Sequence, residues 1–319
     1  MIKGRAYGRV GLLGNPSDIY GGKCISFTIS SSAEVEIKDS DQLRIHGNYV
    51  SGFLSSDGNG THELITATIK HLGKYLDSRI ENESMDITYR TRIPIGSGLA
   101  GSSAIIIAAI KAFNKRFGWK LNKSEIAELA LHTEIDELDI TGGFQDRYII
   151  SYGGVLYMDF TGKEYMRKED PLGSVHQLDV DNIPFFIALS VQPKKSSTVH
   201  NPLRQEFLSG PDYRRREIKA QMDNIAAIAE QGVNVLLRRD WYELGRLMDK
   251  NTELREQVSR HLEVDMEIIK FARECGTLGA KVAGSGGAVV VLTKENDNSV
   301  IEKMQKVYPC FRPDIARYE

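Results

Sequence analysis

Arg92-Ile-Pro-Ile-Gly-Ser-Gly-Leu-Ala-Gly-Ser-Ser-Ala104, followed at once by Ile105-Ile-Ile-Ala-Ala-Ile110, is the stretch on which the reading of this chain turns. The apolar run, continued to about Phe117, reads as a buried helix. Gly96, Gly98 and Gly101, with Ser97, Ser102 and Ser103, then stand at a helix N-terminus. Such an end carries unpaired N–H groups and a partial positive charge, so it suits an anion. Glycine lets the backbone come close to a phosphate, and serine caps the helix or reaches a bound metal. The expectation is a phosphate-binding turn. It is not a Walker A loop, because no Gly-Lys-Ser/Thr closes it. Gly96, Gly98 and Gly101 do fit Gly-x-Gly-x-x-Gly, but the acidic residue expected at the end of a second parallel strand is missing.

Outward from this turn the chain alternates between element types without a regular strand–helix repeat, which predicts an α+β fold. On the N-terminal side, Gly8–Gly14 reads as a strand entering the turns Asn15-Pro-Ser-Asp18 and Gly21-Gly22. Residues 24–29, 33–37 and 43–45 alternate as strands, 62–75 as a helix, and 85–89 as the strand feeding the phosphate turn. Beyond it, a helix over 125–134 with Ser124 as its cap, a turn at 141–143, a helix over 144–152 and a strand over 153–160 are predicted. After a strand at 185–190 the pattern is mainly helical, around 218–228, 241–247, 264–275 and 299–307. A second glycine turn, Gly284-Ser-Gly-Gly287, feeds a buried strand. A boundary near residue 180 gives two domains, 1–180 and 181–319, in keeping with ~100–200 residues per domain.

Composition narrows the function classes. With 41% hydrophobic and 26% charged residues and a net charge of −2, this is globular-protein composition. No basic patch argues for nucleic acid, and no run approaches the ~20 apolar residues of a membrane span. Cys24, Cys275 and Cys310 lack zinc-site spacing, and with no signal-peptide pattern a cytoplasmic location is expected. Cys24 is expected to be a packed thiol.

The polar residues that stand out are Arg9 before the first glycine turn, Asp18 in the following loop, the serine pair Ser102-Ser103, Glu134, and Asp146 within Gly142-Gly-Phe-Gln-Asp-Arg147. Together with the motifs Arg5–Gly14, Ile93–Ala104 and Lys281–Gly287, they resemble the GHMP kinases, the superfamily of galactokinase, homoserine kinase and mevalonate kinase. One departure is Ala100, which stands between Leu99 and Gly101. Within the superfamily, Gly11-Leu-Leu-Gly-Asn-Pro-Ser-Asp-Ile-Tyr-Gly-Gly22, Gly143–Arg147, Tyr152–Phe160 and Ser197-Thr-Val-His200 are most similar to the glucuronokinases, with heptose phosphate kinases as the nearest rivals.

The resemblance implies a two-domain GHMP architecture, with an N-terminal domain like ribosomal protein S5 and a C-terminal ferredoxin-like plait. It implies ATP and Mg²⁺ as cofactors and a small-molecule sugar as substrate, in a monomer or homodimer. Pro94, Gly96, Ser97, Gly98, Leu99, Ala100, Gly101, Ser102 and Ser103 would hold the ATP phosphates. Ser103 or Ser102, with Glu134, would hold Mg²⁺. Asp146 would take the proton of the attacking hydroxyl, and Arg9 would stabilise charge beside it. Asp18, Gly21, Arg147, Ser285 and Gly286 would line the sugar site.

The implied reaction is phosphorylation of the anomeric hydroxyl of D-glucuronate. A uronate needs a cation for its carboxylate, and Arg147, Lys23, Lys194, Lys195 and His200 all remain open for that role. The loop 192–200 would close over the sugar or stand as an exposed charged loop. The alternatives are a heptose phosphate kinase, which would need a denser basic cluster, and a non-catalytic nucleotide-binding regulator.

Overall fold

Residues 1–49, 62–94, 96–140, 142–163, 171–190 and 197–318 are described by the computed structural model. Lys194, Lys195, Thr141 and the His200 side chain lie outside the described residues.

Alternating apolar residues build the first sheet. Ile2–Leu13 (β1) and Lys23–Asp39 (β2) run antiparallel, from Ile2 opposite Ile37 to Leu13 opposite Ile25. The two strands expected at 24–29 and 33–37 are therefore one. Ser30 and Ser31, which look like a break, form a bulge, where the register steps from Tyr7–Ser32 to Gly8–Ile29. A bulge bends and twists its strand. At this point β2 also changes its second neighbour. Arg44–Tyr49 (β3) lies parallel to Met85–Thr91 (β4), and β4 pairs with the far half of β2. The near half of β2 pairs with Val155–Asp159 (β5), which carries Ser174–Leu178 (β6) on its outer edge.

Helices His62–Tyr75 (α1), Gly101–Phe117 (α2), Lys123–His132 (α3) and Gln145–Tyr152 (α4) belong to this first half. α2 is apolar nearly all round because it is the central one; Ala104 to Ile110 are all buried. Three local expectations are corrected. No serine caps α2: its N-cap is Ala100, in the left-handed region at φ 59°, with no side-chain cap bond. α3 is capped by Asn122, not Ser124. The Asn122 side chain accepts from the Glu125 N–H while Glu125 accepts from the Asn122 N–H, a reciprocal box that Ser124 sits too late to make. The Ser124 hydroxyl instead meets the Tyr152 hydroxyl at 2.6 Å. Finally, α3 stops at His132, and Thr133–Glu137 widen into a π turn that carries Glu134.

The second sheet is antiparallel, with Phe185–Leu189 (β7), Gly279–Val282 (β8), Ala288–Leu292 (β9) and Cys310–Phe311 (β10) in the order β10-β7-β9-β8. Ser197–Ser209 (α5) packs on Asp212–Leu237 (α6), which lies against β1, β2 and Trp241–Val258 (α7); α7 and Glu263–Glu274 (α8) cover β8, and Ser299–Met304 (α9) packs on α8. Ile268, Ile269 and Ala272 of α8 pack on Val289 and Val291 of one sheet face. The other face joins the main core, where Phe27 meets Phe185 edge-on at 4.7 Å between centroids. Full burial of such side chains stabilises by ~1.5–3 kcal/mol each. The chain end returns to the first sheet, where Ile315 bridges Ile29 and the Ser30 N–H donates to the Asp314 carbonyl. The α+β expectation holds. Among the described residues, no helix is long and apolar enough to cross a membrane.

Candidate active site

The end of β1 threads between the two glycine turns. The Arg9 N–H donates to the Leu99 carbonyl at 3.1 Å on one side, and the Gly11 N–H donates to the Ala283 carbonyl at 2.8 Å on the other. The turns also touch each other. A Cβ on Gly98 would lie 2.5 Å from the Gly286 carbonyl oxygen, and Gly98 has φ +70°, so neither space nor backbone admits a side chain there. The phosphate turn and the late turn are thus one surface, set by β1.

Arg9, 5% exposed, is fixed at the centre of this surface. Its Nη1 donates to the Gly98 carbonyl at 2.5 Å and to the Ala283 carbonyl at 3.4 Å. Its Nε and Nη2 donate to the two oxygens of Asp146, each at 2.7 Å. This fork-to-fork pair is the strongest geometry open to the two groups. It holds both carboxylate oxygens in the plane of the guanidinium.

Asp146 lies in the first turn of α4, whose N-terminus is held by Asp18. Asp18 is completely buried and accepts from the Gln145 N–H at 3.1 Å and from Gln145 Nε2 at 3.0 Å. Gln145 in turn accepts from the Ser26 hydroxyl at 2.7 Å. Gly143 is glycine because a Cβ would collide with an Asp18 carboxylate oxygen. Burial pushes the Asp18 carboxyl up to about 6. The Gln145 N–H opposes that shift, the charge of Asp146 adds to it, and the charge of Arg9 opposes it. Cys24 lies within reach of the same charges. It is buried, with its thiol pushed well above the usual range by that burial, as a packed cysteine should be.

Glu134 and Ser103 form the other arm. The Ser103 hydroxyl, 3% exposed, lies 3.0 and 3.2 Å from the two Glu134 oxygens. Ser102 is exposed. Arg147 clamps the same carboxylate through Nε and Nη2 and donates through Nη1 to the Gly143 carbonyl. Burial pushes the Glu134 carboxyl up, and the Arg147 charge and Ser103 hydroxyl hold it back. A hydroxyl beside one carboxylate at the N-terminus of α2 fits Mg²⁺, which takes few protein oxygens and keeps several waters.

The structure therefore brings together Arg9, Asp146, Asp18, Ser103, Glu134, the 96–103 turn and the backbone of Ser285 and Gly286. Arg147 sits on Glu134. Gly21 stands apart, closing its turn by donating to the Asp18 carbonyl and facing Phe160 and Lys163. Lys23 is paired with Glu230 and with Asp159.

Two family descriptions match the chain, "GHMP kinases N terminal domain" over residues 63–154 and "GHMP kinases C terminal" over residues 233–310. Glucuronokinase 1 of Arabidopsis thaliana is 31% identical over 94% of this chain and 87% of its own length. The chain belongs to the GHMP kinases. It is accordingly an ATP- and Mg²⁺-dependent phosphotransferase acting on small molecules. Probable glucuronokinase 2 of the same plant is 33% identical, over 93% and 85% of the two chains. The fold is also that of a D-glycero-D-manno-heptose 1-phosphate kinase from Bacteriodes thetaiotaomicron, with a TM-score of 0.72 at 20% identity over 99% and 97% of the chains.

Several further residues hold this kinase's site together; Lys281 opens the third motif, and the others carry no sequence signal. Lys281 is 2% exposed, and all three ammonium donors are used, on the Gly11 carbonyl at 3.1 Å, Asn15 Oδ1 at 2.8 Å and the Val282 carbonyl at 3.0 Å. Burial pushes it well below the usual lysine range, and the nearby Arg255 and Arg9 add to that. Arg255 on α7 donates to the Gly284 carbonyl at 2.9 Å, and Asp265 on α8 accepts from the Gly287 N–H at 3.1 Å. Asn251 ties the first glycine turn to α7 through the Gly14 N–H and the Asn15 carbonyl. Only the complete fold brings α7 and α8 to these turns, so spacing along the chain does not reveal them.

Proposed function

We propose that this kinase transfers the γ-phosphoryl group of ATP to the anomeric hydroxyl of D-glucuronate, giving glucuronate 1-phosphate. The observation that carries the acceptor chemistry is the Arg9–Asp146 fork, lodged between two glycine turns. The choice of sugar rests on the end-to-end likeness to the plant glucuronokinase.

Phosphoryl transfer needs in-line positioning and neutralised charge more than covalent chemistry. The N–H groups of the 96–103 turn and the N-terminus of α2 would bind the phosphates. Ser103 and Glu134 would hold Mg²⁺, whose chemistry when bound is to offset phosphate charge. Arg147 would keep Glu134 ionised and oriented. Asp146 would accept or orient the proton of the sugar hydroxyl. An anomeric hydroxyl is more acidic than an ordinary alcohol, so one carboxylate suffices. Arg9 fixes the plane of Asp146 and would stabilise negative charge on the reacting oxygen. Asp18 sets the first turn of α4, and with Ser285 and Gly286 it would bound the sugar end. The three free thiols fit a reducing cytoplasm.

The test is ADP release with Mg-ATP against glucuronate, galacturonate, glucose, galactose, mannose, heptose 7-phosphate and mevalonate. Turnover confined to a uronate supports the reading. Turnover only with the heptose phosphate would replace the substrate and keep the mechanism.

A further inference from the structure

We infer that Tyr318 is a positioning residue for phosphoryl transfer: its one hydroxyl ties together the two backbones that carry the Arg9–Asp146 fork and sets their separation. This rests on the role proposed above for that fork, and not on which sugar is the acceptor.

Of the two elements that the fork joins, α4 is the less fixed. It is eight residues long, and helices shorter than ~12–15 residues are marginal without tertiary support. Asp18 pins its first turn. Its far end leaves carbonyls without an intrahelical partner. The Gly153 N–H closes on the Ile149 carbonyl at 2.8 Å, but the Gly154 N–H turns away, to the Ala316 carbonyl at 2.9 Å and Thr28 Oγ1 at 2.8 Å. The Ile150 carbonyl is taken instead by Tyr318, whose hydroxyl donates to it at 2.7 Å. The same hydroxyl accepts from the Tyr7 N–H at 3.3 Å, where the register of β1 on β2 steps from Tyr7–Ser32 to Gly8–Ile29. A hydroxyl has one proton to donate and lone pairs to accept, so it can hold both backbones at once. Tyr7 stands two residues before Arg9. Ile150 stands four residues beyond Asp146, one turn along the same helix face. Tyr318 is thus a second tie between the elements that the fork joins.

The ring that carries this hydroxyl is itself held. It lies tilted on Tyr7 at 5.0 Å between centroids, and the Lys111 ammonium of α2 stands 3.4 Å over its centre. Its edge occupies the space that a side chain on Gly153 would need. A Cβ there would lie 2.8 Å from Tyr318 Cδ2, and φ is +78°. The residues leading to it are bonded to the first sheet, Asp314 through the Ser30 N–H at 2.9 Å and Ala316 through the Thr28 carbonyl at 3.0 Å. Burial pushes the phenol above its ordinary range, so the proton given to Ile150 stays in place at neutral pH. Tyr318 therefore contacts β1, α2 and α4, the elements that carry Arg9, Ser103 and Asp146.

The experiment uses the whole chain with radiolabelled Mg-ATP and D-glucuronate, or whichever sugar of the panel wild type phosphorylates. Wild type, Tyr318→Phe, Arg9→Lys and the double variant are compared. Phenylalanine keeps the ring contacts at a partly exposed position, so the variant folds. A misplacement of ~1 Å at reacting groups costs ~100-fold in rate, and loss of one of two ties should cost about 10-fold in kcat. The KM for Mg-ATP should stay within about twofold, because the ring still packs on α2. In the Arg9→Lys background the fork is already broken, and Tyr318→Phe should cost no more than about twofold there. An unchanged kcat in Tyr318→Phe overturns the assignment. So does a loss of the same size with and without Arg9, which is what a purely structural support would give. Arg9→Lys as active as wild type would instead refute the fork reading itself, which is a different result.

Discussion

Replacing Asp18 by asparagine should change how stability depends on pH, and the size of the change follows from burial. A free aspartate titrates near ~3.9, whereas burial pushes Asp18 up to about 6 in the folded chain. Between these values the folded state holds a proton that the unfolded state has lost. The contribution of Asp18 to stability is therefore complete below ~4 and falls as pH rises through about 6. The gap is about two pH units, and at ~1.4 kcal/mol per unit the ionised group costs about 3 kcal/mol at neutral pH relative to its protonated form.

Asparagine cannot ionise, and the site can accept it. If the Gln145 amide turns over, its oxygen accepts from the new Nδ2, its Nε2 donates to the Ser26 hydroxyl, and the Gln145 N–H keeps an oxygen partner. Asp18→Asn should therefore gain on wild type by about 3 kcal/mol between pH 4 and 7. That is roughly 6–12 °C in melting temperature, or less for a chain of this size. Thermal unfolding of both proteins from pH 4 to 8 measures it. A melting-temperature difference that stays constant over that range would refute the reasoning. The activity of the variant should drop even as its stability rises.

The close approach of the turns makes Gly98→Ala damaging: its Cβ would press on the Gly286 carbonyl at φ +70°, costing about 1–3 kcal/mol and loosening the phosphate surface. A weaker nucleotide affinity by titration calorimetry, together with a lower melting temperature, would show it. Lys281→Met strands three buried acceptors, the Gly11 and Val282 carbonyls and Asn15 Oδ1, at a cost of about 2–5 kcal/mol. Unfolding in urea should report that loss. An unchanged midpoint would mean that the ammonium is dispensable.

The parts of this fold that can be read from sequence are those whose signal is local. The glycine–serine turn with its apolar helix, the turn at 284–287 and the buried strand after it depend on neighbours within a few residues. Asp146 and Arg9 were legible as a pair only through the order of the motifs. What sequence does not show depends on partners far along the chain. Ser30 and Ser31 look like a break, but β1 pairs on both sides of them and turns the break into a bulge. Asn122 and Ser124 are both good caps, and only the position of Glu125 decides between them. β10 is two residues long and has no periodicity to read. Lys281, Arg255 and Asp265 look like ordinary charged residues until α7 and α8 bury them against the glycine turns.

The most direct measurement of the central claim is phosphorus NMR of the products formed from Mg-ATP and D-glucuronate, with wild type and Asp146→Asn compared at equal concentration. A phosphate on the anomeric carbon, formed by wild type and at least ~100-fold slower with the variant while ATP binding is retained, is the predicted result. Phosphate on another carbon, or equal rates from the two enzymes, would contradict it.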